Sequence, residues 1–356
     1  MSATDQNVVI SGIGMVTNVG HFADQTCTSI RADITRMQDI EYFLIENDWF
    51  EDVPVIGCPV VDVTDGFLGL GRWTKLAAMA ISDLIDVAKI NITEVTRVGF
   101  YITLPSNDRP GFDERIEQML GLRIAQWCDW PQAEAQTTYY AAGQAGLMRA
   151  IEHAQQHLRD GKIHMAIMGA VDSLVEPETL EFYHQHKRLK TEDNPDGLIP
   201  GEASAFFALE LENVAKARGA TPMAKIEKAK TASDGNTIWG DKPPTSTGLS
   251  TAIREVLSSL EDQGEYTGLV VCDLNGESYR NKEFANVVPR TMSDFKTHWN
   301  LWHPADCIGD SGAASSAVGV CLAARALQKG YARTNNVLVW GSSDDGLRGA
   351  TYLRAM

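Results

Sequence analysis

DGLIPGEASAFFALELENVAKARGATPMAKI, residues 196–226, is the stretch that decides the fold. Its centre, SAFFALEL (204–211), is a short, nearly continuous apolar run, the pattern of a strand covered on both faces. After it, ENVAKARGATPMA (212–224) marks a change, and a new series of elements begins. Upstream, VVISGIGMV (8–16), RVGFYITL (97–104) and IHMAIMGAVDS (163–173) read as buried strands. WTKLAAMAISDLIDVAK (73–89) has helical spacing of Leu76, Met79, Ala80, Leu84 and Val87, and AGQAGLMRAIEHAQQHLRDG (142–161) is a second helix with Gly161 at its end. Downstream the theme repeats: LSTAIREVLSSL (249–260) is helical, TGLVVCDLNG (267–276) a strand, and GAASSAVGVCLAARALQKG (312–330) a helix rich in small residues. NVLVWGSS (336–343) and ATYLRAM (350–356) supply further strands. Alternation of this kind predicts an α/β fold with sheet covered on both faces, divided into 1–215 and 216–356.

Composition bounds the function. Of 356 residues, 44% are hydrophobic and 22% charged, ordinary for a folded globular chain. Lys and Arg number 31 and Asp and Glu 47, a net charge of −16. That excess argues against non-specific nucleic-acid binding and against anionic lipid, and makes an acidic carrier protein a difficult partner without a local basic patch. No apolar run approaches the roughly 20 residues that span a bilayer. MSATDQNVVISGIG has no basic segment before a long apolar core, so no secretory signal and no membrane association are expected. The six cysteines lack CxxC spacing, which predicts neither a zinc site nor a disulfide framework and makes a reducing cytoplasm the expected compartment. His184 and His186 stand two apart, which on a strand would share a face, although a solvated polar segment is the simpler reading than a metal pair. No cofactor and no metal are expected.

Several segments, in order, resemble the β-ketoacyl-acyl-carrier-protein synthases of the thiolase superfamily. VVISGIGMVTNVG (8–20) looks like their opening strand and glycine turn, and GKIHMAIMGAVDS (161–173) like the strand after their nucleophile helix. Residues 196–226 are the most specific match. CIGDSGAASSAVGVCLAARALQKG (307–330) and VWGSSDDGLRGATYL (339–353) look like the late Ile-Gly-His loop with its helix, and the glycine-rich loop with the last strand. The resemblance spans nearly the whole chain except 35–72 and 228–265. It implies a thiolase fold, two fused βαβαβαββ halves in five α-β-α-β-α layers, usually as a two-fold dimer. The dimer strand it implies is AEAQTTYY (133–140), whose residues suit a strand.

A condensing synthase needs a thiolate at a helix N-terminus and two further groups, usually histidines, that stabilise an enolate. Carried onto this sequence, the nucleophile position falls on Gln144, the two histidine positions on Asn275 and Asp310, and the expected lysine on Ala305. The gate loop becomes Ser342, Ser343, Asp344 and Asp345. An amide forms no thiolate, and acids in the gate repel a malonyl carboxylate. Loss of one oxyanion donor alone costs roughly 100- to 1000-fold. Cys307 and His303 are the fallback candidates for chemistry; a buried thiol and a locally bonded loop histidine are the simpler readings. Gln144, Asn275 and Asp310 either hydrogen-bond one another in a filled pocket or line a ligand site.

Glutamine at the nucleophile position also occurs in chain-length factors and in decarboxylating loading ketosynthases, with a ketosynthase and an acyl carrier protein as implied partners. A different class is implied by RADITRM (31–37), DLNGESYR (273–280) and HPADCIGDSGAASSA (303–317), which resemble thiolase-like proteins of bacterial type VI secretion clusters. That resemblance implies a homodimeric, non-enzymatic accessory or chaperone in effector loading, with an effector or adaptor protein as partner.

Overall fold

The structure, a computed structural model, describes residues 7–258, 268–292 and 299–356. The first half contains β1 (Val8–Thr17), α1 (Ala23–Arg31), β2 (Gln38–Glu46), β3 (Asp52–Gly57), α2 (Val61–Thr64), α3 (Gly69–Ala88), β4 (Val98–Leu104), α4 (Arg115–Trp127), α5 (Gln132–Ala135), β5 (Thr137–Ala141), α6 (Gly146–Arg159), β6 (Met165–Ser173), α7 (Pro177–Gln185) and β7 (Glu202–Leu211). After α8 (Glu212–Ala217) come β8 (Ala224–Ser233), α9 (Thr247–Leu257), β9 (Leu269–Val271), α10 (Ser278–Thr291), β10 (Asn300–Trp302), α11 (Ala305–Ile308), α12 (Ala314–Lys329), β11 (Asn336–Ser342) and β12 (Leu347–Arg354).

Ten strands pair in the order β10-β9-β11-β12-β8-β1-β7-β6-β4-β5. Numbered within its own half, each set of five runs 3-2-4-5-1, so the two halves share one topology. They meet edge to edge through β1 and β8, antiparallel at Val9–Lys225 and Ile10–Ala224. α6 and α12 lie between the two sets of strands and touch both. Their faces, with Leu147, Ile151, Val318 and Leu322, form the central core. α3 covers the outer side of the first sheet with Trp73, Leu76 and Leu84, and α9 and α10 cover the second around Ile253, Val270 and Tyr352. Helix, sheet, helix, sheet, helix is the five-layered arrangement expected.

The buried strands read from sequence are present, because a strand covered on both faces must be apolar throughout; β1, β4, β6 and β11 are buried at every position. One expectation needs correction. Residues 133–135 are helical in α5, and the edge strand begins only at Thr137; Thr137 closes that turn by donating to the Ala133 carbonyl. His184 and His186 lie at the end of α7, not on a strand. Residues 259, 260 and 267, at the ends of two expected elements, lie outside the described residues.

Candidate functional site

Gln144 sits in the turn between β5 and α6. The turn is made by Gly143, whose φ of +63° suits glycine, and a Cβ there would come within 3.0 Å of the Ser343 Oγ. Ser343 holds the turn from the other half of the chain: its Oγ donates to the Ala142 carbonyl (2.6 Å) and accepts the Ala145 N–H (2.9 Å). The helix N-terminus that would favour a thiolate therefore carries an uncharged, buried glutamine and has one of its donors already bound.

Asn275 and Asp310 do come together. The Asn275 amide donates to Asp310 (2.6 Å) and to Glu277 (2.8 Å), while Asp310 also accepts the Gly312 N–H (2.8 Å). The backbone fixes Asp310: its N–H donates to the Ile199 carbonyl and its carbonyl accepts from Gly201. This is the segment 196–226 whose sequence decided the fold. Gln144 makes no hydrogen bond to either residue among those described, so the expected trio is a pair plus a bystander.

Around this pair lies a network that sequence reasoning missed. Arg188 reaches Glu277 through two nitrogens (2.7 and 2.8 Å) and Asp344 through a third contact of 2.7 Å. Arg280 bonds Asp273 (3.0 Å) and Asp344 (3.0 Å) and donates to the Ser342 carbonyl. Arg348 bonds Glu283 (2.7 Å), which also accepts from the Ser342 hydroxyl (2.7 Å). Burial would raise the Asp344 pKa, but Arg188 and Arg280 override it and hold the carboxyl below its usual range. Asp273 goes the other way: burial outweighs Arg280 and pushes it up to about 6. Ser342, Ser343 and Asp344 are thus all tied down, while Asp345 is exposed and accepts from the Leu347 N–H. The only sequence signal for this network was the run of acids and arginines in DLNGESYR and SSDDGLR, whose burial nothing local announces.

Beside Gln144 lies an open cleft of about 440 Å³, whose lining includes neither Asn275 nor Asp310. Phe182, Tyr183, His186 and Trp239 form its aromatic wall, with Phe182 5.2 Å from Trp239 between centroids. The Arg188 guanidinium lies 4.8 Å from the Tyr183 ring centre and 4.7 Å from that of Trp239. Asp172 spans the floor, accepting from Arg109 (2.7 Å) and from the Ala313 N–H at the start of α12 (2.8 Å). The cleft holds acids at Asp108, Asp172, Asp344 and Asp345, against Arg109 as its one cation among the lining residues.

Neither fallback residue nor Ala305 lines this cleft. Cys307 is buried in the central core near the Ile30 carbonyl, and burial pushes its thiol up to about 11. His303 pairs locally with Asp306 (2.8 Å). Ala305 opens α11. Among the described residues no group of three or more His, Cys, Asp or Glu is placed to hold a metal ion, and no helix is long and apolar enough to cross a membrane.

Comparison with known structures is decisive for the architecture. A chain of a type II polyketide-synthase acyl-carrier protein in complex with its ketosynthase bound to the hexaketide superposes with a TM-score of 0.81, covering 99% of each chain at 14% identity. The chain has the thiolase-like ketosynthase fold. The ishigamide ketosynthase/chain length factor gives a TM-score of 0.79 over 99% of each chain at 17% identity. The oxazolomycin ketosynthase domain of Streptomyces albus JA3453 gives 0.81 over 99% of this chain and 74% of that one, at 13% identity. The family model for the β-ketoacyl synthase N-terminal domain matches residues 109–215, a span that holds Arg109, Gln144, Asp172 and Arg188. The ketoacyl synthase alpha subunit of the tetracenomycin polyketide synthase from Streptomyces glaucescens is 26% identical over 148 residues, 38% of this chain and 34% of that protein. The 3-oxoacyl-[acyl-carrier-protein] synthase 2 of Mycobacterium leprae (strain TN) is 29% identical over 50% of this chain. Only 45% of that relative is covered, so the chain spans less than half the length of either curated protein in alignment.

Proposed function

We propose that the chain is a catalytically silent ketosynthase-fold subunit that acts by pairing with a competent ketosynthase, in the manner of a chain length factor. The observation that carries this reading is the Gln144 turn. A residue without a nucleophilic atom occupies the head of α6, and Ser343 takes the Ala145 N–H beside it. Asn275 and Asp310 bond each other where enolate-stabilising histidines would be needed. Neither Asn275 nor Asp310 is a cation that would stabilise the enolate of a condensing or decarboxylating step, which supports the reading. The aromatic cleft is consistent with shaping a nascent chain, and the likeness to a ketosynthase/chain length factor supports the assignment.

The test has two parts. Incubation with acyl-carrier thioesters, read by intact-mass spectrometry, is expected to leave the chain unmodified. An adduct on Cys307, lost in Cys307→Ala, would defeat the reading. Gln144→Cys is expected to leave condensation absent, because Asn275 and Asp310 still fill the other positions. Mixing with a type II ketosynthase from the same organism is expected to give a stable one-to-one complex by light scattering.

A second reading, an accessory in type VI effector loading, is supported by the motif likeness of 31–37, 273–280 and 303–317. A homodimer that ignores the ketosynthase and binds an effector or adaptor from a neighbouring secretion gene would favour it.

A further inference from the structure

One of the two stretches that match a ketosynthase poorly in sequence, 35–72, carries a surface of its own. It contains eight Asp or Glu against two cations, Arg36 near its start and Arg72 at its end. It folds as the β2–β3 hairpin, separate from the main sheet, followed by the turn around α2. The inner face of the hairpin is firmly seated: Ile40, Ile45 and Val55 pack on Leu174, Leu189 and Leu198. The Tyr42 hydroxyl donates to the Val175 carbonyl (2.7 Å), and the Cys58 N–H to that of Pro200 (2.8 Å).

The outer face is apolar where water should be. At the tip, Trp49 is 78% and Phe50 84% exposed. This is an imposed geometry. The Asn47 side chain accepts the Trp49 and Glu51 N–H groups, and Phe50 is held at φ +60°, a conformation that disfavours a bulky L-residue. Leu44, Ile56 and Leu68 are also about half exposed or more. At the opposite end of the hairpin from the tip, between the start of β2 and residues 59–68, runs a groove of about 790 Å³ lined by Leu68, with Asp39, Glu41 and Asp65 along it. Its one cation among the lining residues, Arg72, is committed to Glu202 at 2.6 and 2.9 Å.

We infer that this face docks a cationic amphipathic helix of a partner protein. Exposed Trp, Phe and Tyr supply the apolar anchors that dominate interface energies. Carboxylates outnumber the nearby cations, Arg36 and the Lys75 ammonium 3.8 Å from the Phe67 ring centre, and so set the sign of the partner and speed encounter. A second copy of the same face would bring acid against acid, and anionic lipid is repelled for the same reason. Strand addition is disfavoured, because the ladder shifts between Ile40 and Leu44 and the edge is bent there. An acidic carrier protein is excluded from this face by charge, so the inference does not depend on the chain-length-factor reading.

The probe is a fluorescein-labelled, 18-residue Leu/Lys amphipathic helix, titrated by anisotropy at 150 mM salt. The wild-type chain is expected to bind it, with quenching of Trp49 emission. Trp49→Ala with Phe50→Ala, and separately Asp39→Lys with Glu41→Lys and Asp65→Lys, are each expected to weaken binding tenfold or more. Reversal of three exposed acids elsewhere, Glu94, Glu192 and Glu255, is expected to change it less than twofold. All these side chains are exposed, and an unchanged melting temperature checks the fold. Equal loss in both charge-reversal triples would overturn the proposal, leaving only a general attraction to an anionic protein. Binding of the chain to phosphatidylcholine vesicles through Trp49 would also overturn it, in favour of a lipid surface.

Discussion

Arg280 is 4% exposed and its partner Asp273 6%, so neither can be rescued by water if the other is removed. Arg280→Met leaves Asp273 and Asp344 without their shared cation. The expected loss is about 3–5 kcal/mol, measurable as a lower urea midpoint with an unchanged slope. The two acids respond to pH with opposite sign. Asp344 has a depressed pKa, so its contribution is full above the ordinary carboxylate range and falls as pH drops through its folded value. The deficit of Asp344→Asn relative to wild type is therefore largest near neutrality and shrinks below about pH 4. Asp273 has a raised pKa near 6, so the folded state takes up its proton first and gains stability as pH falls from about 6 toward 4. Asp273→Asn is expected to abolish that gain and to leave the steeper acid limb. Gly143→Ala forces a left-handed backbone on a residue with a Cβ, at a cost of about 1–2 kcal/mol in addition to the Ser343 contact. Gln144, Asn275 and Asp310 were singled out through the family resemblance, and of the three the structure brings Asn275 and Asp310 together. Their partners were not legible in sequence: Arg188 meets Glu277 across 89 residues and Asp344 across 156, and no local pattern encodes such a pairing.

Elements follow the same division. Strands β1, β6 and β11 announce themselves because burial on both faces leaves only apolar residues. α10 conceals itself for the opposite reason. Its buried residues are Arg280, Glu283 and Val287, so helical periodicity is present but its inner face is charged, and hydrophobic spacing cannot find it. The β2–β3 hairpin is hidden because aromatic and aliphatic residues occupy both faces, which erases the alternation of a half-exposed strand. β5 is the outermost strand of the first half, with Thr138 exposed. An open edge of this kind invites pairing with another chain, which the family resemblance makes a two-fold mate or a related ketosynthase. The Phe100 N–H donates to the Gln136 carbonyl, a register that turns the Thr138 N–H toward β4 and the Thr137 N–H toward the open edge. Thr137→Pro, at the first residue of the strand, is expected to convert dimer to monomer by light scattering at micromolar concentration while the circular dichroism of the chain is kept. A wild-type chain that stays monomeric both alone and when mixed with a ketosynthase would remove this assignment for β5.

For the molecule as a whole, layering decides what reagents can reach. All six cysteines are unpaired, and Cys27, Cys58, Cys272, Cys307 and Cys321 are buried. Burial raises each of these thiols, Cys27 and Cys58 to about 12. A thiol reagent at pH 8 is expected to label the native chain slowly and, once urea unfolds it, all six positions together. Rapid labelling of Cys27 or Cys321 in the absence of denaturant would show that the central layer opens without global unfolding.

The pairing of β1 also sets a timetable for synthesis. Val8 is opposite Leu211, and Thr17 opposite Ala203, so this strand has its main ladder partner about 200 residues later. At translation speeds of 5–20 residues per second, β1 waits on the order of 10–40 s for that partner to be polymerised. During that interval VVISGIGMVT, buried throughout in the finished sheet, is an apolar strand with both edges open on the ribosome. Early capture of this segment by a holdase is the expected companion of efficient expression, and slowing elongation between residues 100 and 200 should raise the insoluble fraction. The duplicated architecture thus exposes this strand longest.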